Sequence, residues 1–359
     1  MNRPDASSRR RAQRGVSIVE IMVGLVVALL VGLAATGSAA VFSASQRQGV
    51  GSGGMTVNAA TALAAIKSDA ASAGLGFFGN SSFLCYALDL SVGAAVKLDA
   101  ASFSPVRITA GTNSDQLDVV FANSVDAGAN VLLKGTSDGT SASLQSLLPV
   151  TSADVGKAVL LVPKDPAVAG KTCVVRTITA VTDSTDDTAQ SLTFASTGAY
   201  NGGAFTTTPS FKESDKDEVA LLGALQWSRY RVIDGSLTLE RPIDGTSAVL
   251  VRNVMAFRTQ YGVSATSGST DTTMSAWQKA TGATFASVAG DNVNRVRALR
   301  IGLVTRSSQR EKLNKAGECE ASSAKPQLFG EDVEPDVSDW QCYRYRTAVV
   351  IVPLRNLAW

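Results

Sequence analysis

The stretch RGVSIVEIMVGLVVALL, residues 14–30, decides the architecture of this 359-residue chain. Every residue from 21 to 35 is apolar or glycine. A helix that continues from there to Phe42 is about 33 Å long at 1.5 Å per residue, which is enough to cross the hydrocarbon core of a bilayer. We therefore predict a transmembrane helix over residues 16–42, with one carboxylate, Glu20, near its beginning.

The residues before this helix are basic. Residues 1–15 contain five arginines and one acid, Asp5. This bias predicts that the leader stays in the cytoplasm and that the chain after the helix is exported. A conventional signal peptide, cleaved near residues 37–39, and an uncleaved signal anchor both fit the pattern. Neither explains Glu20, because a carboxylate at the centre of a membrane segment costs about 2.5 to 3.5 kcal/mol.

The composition limits the classes of function. Histidine is absent, so the usual general base at neutral pH and the commonest metal ligand are missing. A net charge of +2 gives no support for nucleic-acid binding. We predict a protein that is not an enzyme, with no catalytic residue, cofactor or metal. The cysteines have no CxxC spacing and fit two disulfides in an oxidising compartment, with three connectivities open: Cys85, Cys173, Cys319 and Cys342.

The region after the membrane helix predicts a break and then a second helix. Four glycines between residues 49 and 54 predict the break, because each costs about 1 kcal/mol in a helix relative to alanine. Apolar residues then recur at helical spacing until the glycines of SAGLGFFGN, residues 72–80. We assign residues 43–79 to a glycine-rich break and an amphipathic helix with these apolar positions: Ala59, Ala62, Leu63, Ile66, Ala70 and Ala73.

Residues 80–359 are predicted as a β-rich domain. The short β-prone runs are 116–121, 158–163, 173–182 and 191–194. The clearest hairpin is QWSRYRVIDGSLTLERP, residues 226–242, with a type I′ turn at Asp234 and Gly235. Alternation in the last stretch predicts a half-buried strand, which is a strand with one buried face. The residues on that face are Tyr343, Tyr345, Thr347, Val349 and Ile351. The fold class is α+β, a long N-terminal helix packed on an antiparallel sheet.

Two groups of motifs carry a family resemblance. GVSIVE, residues 15–20, resembles the class III signal of type IV prepilins, and the predicted layout is also the pilin fold. Four other stretches resemble the PilW family of minor pilins: SAGLGFFGN, VMAFRTQYGV (254–263), VRALRIGLVTRS (296–307) and the terminal LRN (354–356). The resemblance covers about the first eighty residues and roughly the last hundred.

The resemblance implies how the chain is processed and stabilised. A prepilin peptidase cuts after Gly15, and Val16 becomes the N-methylated first residue. Glu20 then neutralises the N-terminal amine of a neighbouring subunit in the filament. The family pattern also implies a C-terminal disulfide between Cys319 and Cys342, which leaves Cys85 and Cys173 for each other.

The implied function is that of a minor pilin that primes type IV pilus assembly. The chain is first a single-pass inner-membrane protein with a periplasmic domain, and then part of the pilus tip at the cell surface, with roles in cell adhesion and twitching motility. The implied partners are other minor pilins, the major pilin, prepilin peptidase, the inner-membrane assembly machinery and a large tip adhesin. Two alternatives stay open: a type II secretion minor pseudopilin of the J class, and a periplasmic binding or catalytic domain on a signal anchor.

Two strings have the form of nucleophile motifs, and three clusters are acidic. GTSDG around Ser137 has no histidine to act as its base, and SSAK (322–325) is followed by Pro326. We predict polar turns at both. The acidic clusters lack the calcium-loop pattern and are predicted as solvated turns: Asp183, Asp186 and Asp187; Asp215, Asp217 and Glu218; Glu331, Asp332, Glu334 and Asp336.

Overall fold

The structure is a computed structural model that describes residues 17–79, 82–83, 85–93, 96–123, 129–148, 150–165, 171–183, 189–203, 205–266, 273–314 and 316–357. The predicted leader, residues 1–15, lies outside the described residues, as do Asp186 and Asp187. The chain divides into two units, Met1–Gly53 and Gly54–Trp359.

Helix α1 spans Ile18–Ser72 and is 55 residues long. The break predicted among the glycines is therefore not present, because the helix continues from Gly49 to Gly54. Propagation adds one backbone hydrogen bond per residue, so a few glycines weaken a helix that is already formed on both sides without ending it. The predicted end of the helix agrees with the structure, since α1 stops just before Gly74 and Gly76, both of which have positive φ.

Among the described residues after α1, most of the regular secondary structure is strand. A short helix, α2, spans Gly282–Phe285. The strands are β1 (Phe78–Gly79), β2 (Ser82–Phe83), β3 (Ala87–Val92), β4 (Val96–Ser102), β5 (Val106–Thr109), β6 (Gln116–Ala122), β7 (Asn130–Lys134), β8 (Thr136–Ser137), β9 (Ser141–Leu144), β10 (Ala158–Val162), β11 (Cys173–Thr177), β12 (Ala180–Asp183), β13 (Gln190–Thr193), β14 (Phe211–Lys212), β15 (Glu218–Gly223), β16 (Leu225–Ile233), β17 (Ser236–Arg241), β18 (Thr246–Arg252), β19 (Val254–Val263), β20 (Ala276–Gln278), β21 (Val296–Arg306), β22 (Gln327–Leu328), β23 (Glu331–Asp332) and β24 (Tyr345–Pro353).

Three larger sheets organise these strands. The nine-stranded sheet has the order β12-β13-β9-β7-β15-β10-β11-β3-β4, the five-stranded sheet β18-β17-β16-β6-β5, and the four-stranded sheet β20-β19-β21-β24. Pairing within the described residues is antiparallel, except that β11 and β3 are parallel. The predicted α+β class, a helix followed by a mostly antiparallel sheet domain, is confirmed.

The local strand predictions agree with the structure where the sequence carried a turn signal. The predicted hairpin is β16 and β17, and Asp234 and Gly235 have φ values of 48° and 66°, as a type I′ turn requires. The run 173–182 was predicted as one strand, but it is two. Its first part pairs with β10 and its second with β13, so the chain changes partner at Ile178 and Thr179.

The predicted face of the last strand is wrong. Register with β21 places Val352 opposite Leu299 and Val350 opposite Ile301, so the even-numbered residues of β24 face the core. Val349 and Ile351 point outward and are 49% and 53% exposed. The sequence VVIV is apolar at both parities, so alternation alone does not choose the buried face.

The main core lies between the second part of α1 and the sheets. Ala62, Leu63 and Ile66 of α1 are all buried there, together with Leu299 and Ile301 of β21. Small side chains on a helix allow its axis to lie close to a sheet. The amphipathic pattern of residues 59–73 therefore has the buried face that the sequence predicted.

Candidate functional site

The first candidate is the beginning of α1. Ser17 precedes the helix, and its hydroxyl accepts a hydrogen bond of 3.3 Å from the Val19 amide. Glu20 lies in the first turn, where the unpaired N–H groups of a helix favour a negative charge. Gly15 and Val16 lie outside the described residues. The structure thus places Glu20 within the first turn of α1, and in sequence it is close to the predicted new N-terminus.

The residues Ile18–Ala39 form an apolar surface. They give a helical segment of 22 residues that is long and apolar enough to cross a membrane, and none of it is buried within the protein. Ile18 is 77% exposed and Leu33 is 74% exposed. An apolar surface this continuous is covered in soluble proteins, so it indicates a lipid or protein environment.

The end of α1 is held by two polar contacts. The Tyr230 hydroxyl on β16 donates a hydrogen bond of 2.6 Å to the carboxylate of Asp69. The Asn356 side-chain amide donates to the carbonyls of Ser72 and Ala73, at 3.3 and 3.1 Å. The Ser72 carbonyl is the last one of α1 and the Ala73 carbonyl follows it, so neither has a partner within the helix. Two distant parts of the chain therefore fix the helix end.

Three of the stretches behind the family resemblance, which contain Gly74, Arg297 and Leu354, meet near this helix end. Gly74, in SAGLGFFGN, has a φ of 78°, and a Cβ there would lie 3.0 Å from a methyl carbon of Leu357. Arg297, on β21, is buried, and its guanidinium donates a hydrogen bond of 3.1 Å to the Leu357 carbonyl. Leu354 of the LRN motif is 1% exposed. Residues far apart in sequence thus have one common role, which is to seat the helix.

Two disulfides lie in different parts of the sheet domain. Cys85 and Cys173 are bonded, with Cα atoms 5.7 Å apart, and join the segment before β3 to β11. Cys319 and Cys342 are bonded, with Cα atoms 4.7 Å apart. The second bond lies in the long excursion between β21 and β24, residues 307–344. Part of this excursion covers the outer face of β21, where Leu328 and Phe329 lie over Gly302.

Arginines on β21 stack on aromatic rings. The Arg300 guanidinium lies 4.3 Å from the Phe329 ring centroid and 4.9 Å from that of Trp277. Arg306 lies 4.7 Å from the Tyr343 ring and forms an ion pair of 2.6 Å with Asp336. Guanidinium stacking stabilises such contacts beyond the area that they bury. The stacks attach the 307–344 excursion to the sheet.

Not every residue of the acidic clusters lies in a solvated turn, since Asp183, Glu218, Glu331 and Asp332 belong to strands. Asp217 departs furthest from the prediction. Asp217 was predicted as part of a solvated turn, but it is 1% exposed. Its carboxylate accepts hydrogen bonds from the Lys164 and Lys212 amides, at 2.9 and 2.8 Å. Buried carboxylates require such partners, and the turn geometry that supplies them is not visible in the sequence. In the described part of the chain, no group of three or more acidic or cysteine side chains could hold a metal ion.

The two nucleophile-like strings have structural contacts. The Ser137 hydroxyl is buried and donates to the Ser141 carbonyl. The Ser322 hydroxyl donates a hydrogen bond of 2.7 Å to the Tyr343 carbonyl, and the Lys325 ammonium forms an ion pair with Glu334. In each case the serine hydroxyl is used to hold a turn.

The C-terminal part of the chain is similar to a known family. Residues 227–356 match the model of the family PilW, described as type IV pilus-assembly protein W. No curated protein matches the chain. A solved structure, a type IV-like pilin from Thermus thermophilus, is similar at 10% identity over 71% of this chain and 84% of that chain, with a TM-score of 0.29. The matched family region contains Tyr230 and Asn356, the two residues that hold α1.

Proposed function

We propose that this PilW-like type IV pilin is a minor pilin that primes pilus assembly and joins the filament at its tip. The observation that carries the proposal is the PilW match over residues 227–356, on a chain with an exposed apolar helix at Ile18–Ala39. The helix supplies a membrane anchor, and the sheet domain supplies the surface on which partners are selected.

Processing is the first step of the proposed mechanism. The leader, residues 1–15, is cytoplasmic, prepilin peptidase cuts after Gly15, and the amine of Val16 is methylated. The sheet domain lies in the periplasm. The cut converts a membrane-anchored precursor into a subunit whose apolar helix begins at its N-terminus.

Charge pairing is the second step. An ammonium group at Val16 and the carboxylate of Glu20 are each costly in lipid, and both costs fall when the two charges pair. Val16 precedes Glu20 by four residues in the sequence. The helix of a neighbouring subunit, displaced along its axis, can therefore bring its amine to Glu20. Pairing between subunits then favours assembled helices over separate ones.

The proposed partners are those of a pilus tip. They are other minor pilins, the major pilin, the inner-membrane assembly machinery and a large adhesin. Adhesion and twitching motility follow from the pili that the complex primes.

The decisive experiment is N-terminal sequencing of the mature protein by mass spectrometry. The proposal requires an N-terminus at methylated Val16. An N-terminus at Ala40 would indicate a conventional signal peptide, and an intact Met1 would indicate a plain anchor. Either result contradicts the prepilin mechanism.

A second experiment separates processing from assembly. Glu20→Ala should be cut normally but should assemble few pili, because the amine then has no partner in the helix bundle. Glu334→Ala, which removes an exposed carboxylate from the sheet domain, is the matched control. Normal piliation by Glu20→Ala would exclude charge pairing. A loss of protein secretion with normal piliation would instead assign the chain to a type II secretion filament.

A further inference from the structure

Strand β24 is an open edge of the four-stranded sheet. It pairs with β21 along Tyr345–Pro353, and no described strand lies on its other side. With nine residues, it presents a long row of backbone groups. Open edges of this kind can pair with a strand from another chain.

The flanking hydrogen bonds show which residues face the open side. The Ser307 amide donates a hydrogen bond of 2.8 Å to the Arg344 carbonyl. The Leu354 amide donates one of the same length to the Arg297 carbonyl. Backbone groups in an antiparallel pair alternate in direction, so the even-numbered residues of β24 bond to β21. Thr347, Val349 and Ile351 therefore direct their N–H and C=O groups outward. No backbone hydrogen bond within the described part of the chain uses them.

The same residues expose apolar side chains. Val349 and Ile351 are 49% and 53% exposed, on the face away from the core. The other edge strands of the three larger sheets have at most one exposed large apolar residue, Val249 on β18, among the residues described. Edge strands are usually protected by charge or proline. On β24 such residues occur only near the ends, as Arg346 and Pro353, so its centre is unprotected.

Each end of this edge carries an exposed positive charge. Arg346 and Arg355 are exposed near the two ends of β24 and form no ion pair with any described residue. Arg344, by contrast, is paired with Glu311. Two copies of β24 in antiparallel pairing would bring these arginines together, so the charge disfavours a second copy and favours an acidic partner.

We propose that β24 docks an extended segment of a neighbouring pilus subunit, with alternating β-branched residues and a carboxylate near each end. The partner would add a strand to the sheet, as in other cases of recognition by strand addition. Its backbone would bond to Thr347, Val349 and Ile351, its apolar side chains would cover Val349 and Ile351, and its carboxylates would meet Arg346 and Arg355. The identity of the partner as a pilus subunit rests on the proposed function, whereas the chemistry of the edge does not.

The test uses the full chain in detergent micelles and two synthetic nonapeptides. Both have a core of alternating valine and threonine; one has aspartate at its two ends and the other has lysine. Fluorescence anisotropy measures binding, and hydrogen–deuterium exchange measures amide protection in β24. We expect the aspartate peptide to bind about tenfold more tightly, because it replaces repulsion by attraction at both ends. It should protect the amides of Thr347, Val349 and Ile351.

Variants test the edge without changing the core. Val349→Pro removes an amide that β21 does not use, and it should weaken binding of the aspartate peptide at least tenfold. Val349→Thr with Ile351→Thr keeps the backbone and β-branching and should also weaken it, which covers the case in which the proline variant does not fold. Val249→Thr on β18 is the matched control and should bind normally.

Three results would overturn the proposal. The first is that β24 amides gain no protection at about 1 mM peptide, which is the weak limit of useful affinity. The second is equal binding of the two peptides, and the third is protection that grows with the concentration of the protein itself when no peptide is present. The last result would assign the edge to a second copy of the chain. Peptide binding does not depend on cleavage after Gly15, so a failure of the prepilin mechanism would be seen separately, in the N-terminal sequence.

Discussion

The Tyr230 hydroxyl and the Asp69 carboxylate, 2.6 Å apart, join strand β16 to helix α1. Tyr230 is 1% exposed, and Asp69 lies less than one turn from the helix end at Ser72. Burial, followed by the hydrogen bond and charge of Asp69, raises the pKa of Tyr230 above its ordinary value of 10.0. The phenol therefore stays protonated and acts as a donor at neutral pH.

Tyr230→Phe should lower the free energy of unfolding by about 1.5 to 3 kcal/mol, the range for hydrogen bonds to charged groups. The ring remains in the core, so the change removes only the hydroxyl donor. The Asp69 carboxylate then loses its hydrogen bond from residue 230. Urea unfolding of the full chain in detergent measures the difference. Tyr343→Phe is the control, because the Tyr343 ring lies beside Arg306 and its hydroxyl has no hydrogen-bond partner among the described residues. Equal stability of the two variants would show that the Tyr230 bond contributes little.

Asn356→Ala should expose the last carbonyls of α1 and lower the free energy of unfolding by about 1 kcal/mol. The effect should be local, because Asn356 bonds to the Ser72 and Ala73 carbonyls. Amides of residues 66–73 should exchange faster with deuterium. Asn113→Ala, in an exposed loop, should leave this exchange unchanged. Unaltered exchange in Asn356→Ala would mean that packing of Leu354 and Leu357 alone holds the helix end.

The two disulfides should differ in how much they stabilise the folded protein. On the chain-entropy model, closing a loop with a sequence separation of 88 stabilises by about 4.6 kcal/mol, against about 3.4 kcal/mol for a separation of 23. Replacing Cys85 and Cys173 together by serine should therefore destabilise the domain more than replacing Cys319 and Cys342. Thermal unfolding of the two double variants gives the comparison. The reverse order would indicate that the 307–344 excursion contributes more to stability than its loop length predicts.

Alkaline pH should destabilise the protein through its buried tyrosines. Burial raises the pKa of Tyr261, while the Ile108 amide that donates to its hydroxyl lowers it in part. In the unfolded chain, Tyr230 and Tyr261 lose protons near the ordinary pKa of 10.0, whereas the folded chain keeps them. Their contribution to the free energy of unfolding is therefore fully present below pH 10. Above that pH it falls by up to about 1.4 kcal/mol per pH unit for each tyrosine.

Urea unfolding between about pH 8 and 11.5 measures this slope. Tyr230→Phe should reduce the slope, since phenylalanine does not titrate. The disulfides are the same in all of these chains, so alkaline disulfide exchange cancels in the comparison. Parallel slopes for Tyr230→Phe and the unchanged protein would contradict the role assigned to Tyr230.

Local features were predictable where the sequence carries a local signal. Apolar periodicity placed Leu63 and Ile66 on the buried face of α1, and Asp234-Gly235 placed the hairpin turn, since positive φ at both residues selects that turn type. The glycines between 49 and 54 gave the wrong prediction of a break, because helix propensity does not include cooperativity with the helical residues on both sides. The burial of Asp217 was not predictable from its own segment, because one of the two amides that bond to its carboxylate belongs to Lys164, 53 residues away.

The sequence by itself determined the apolar helix, the place of Glu20 in its first turn, and the α+β class, because these depend on runs and periods within short segments. Only the tertiary structure decided which residues hold the helix end and which face of β24 is exposed. Tyr230 and Asn356 reach α1 from 161 and 284 residues away. The exposure of Val349 and Ile351 follows from the register with β21, since a run that is apolar at both parities leaves the choice of face to the neighbouring strand.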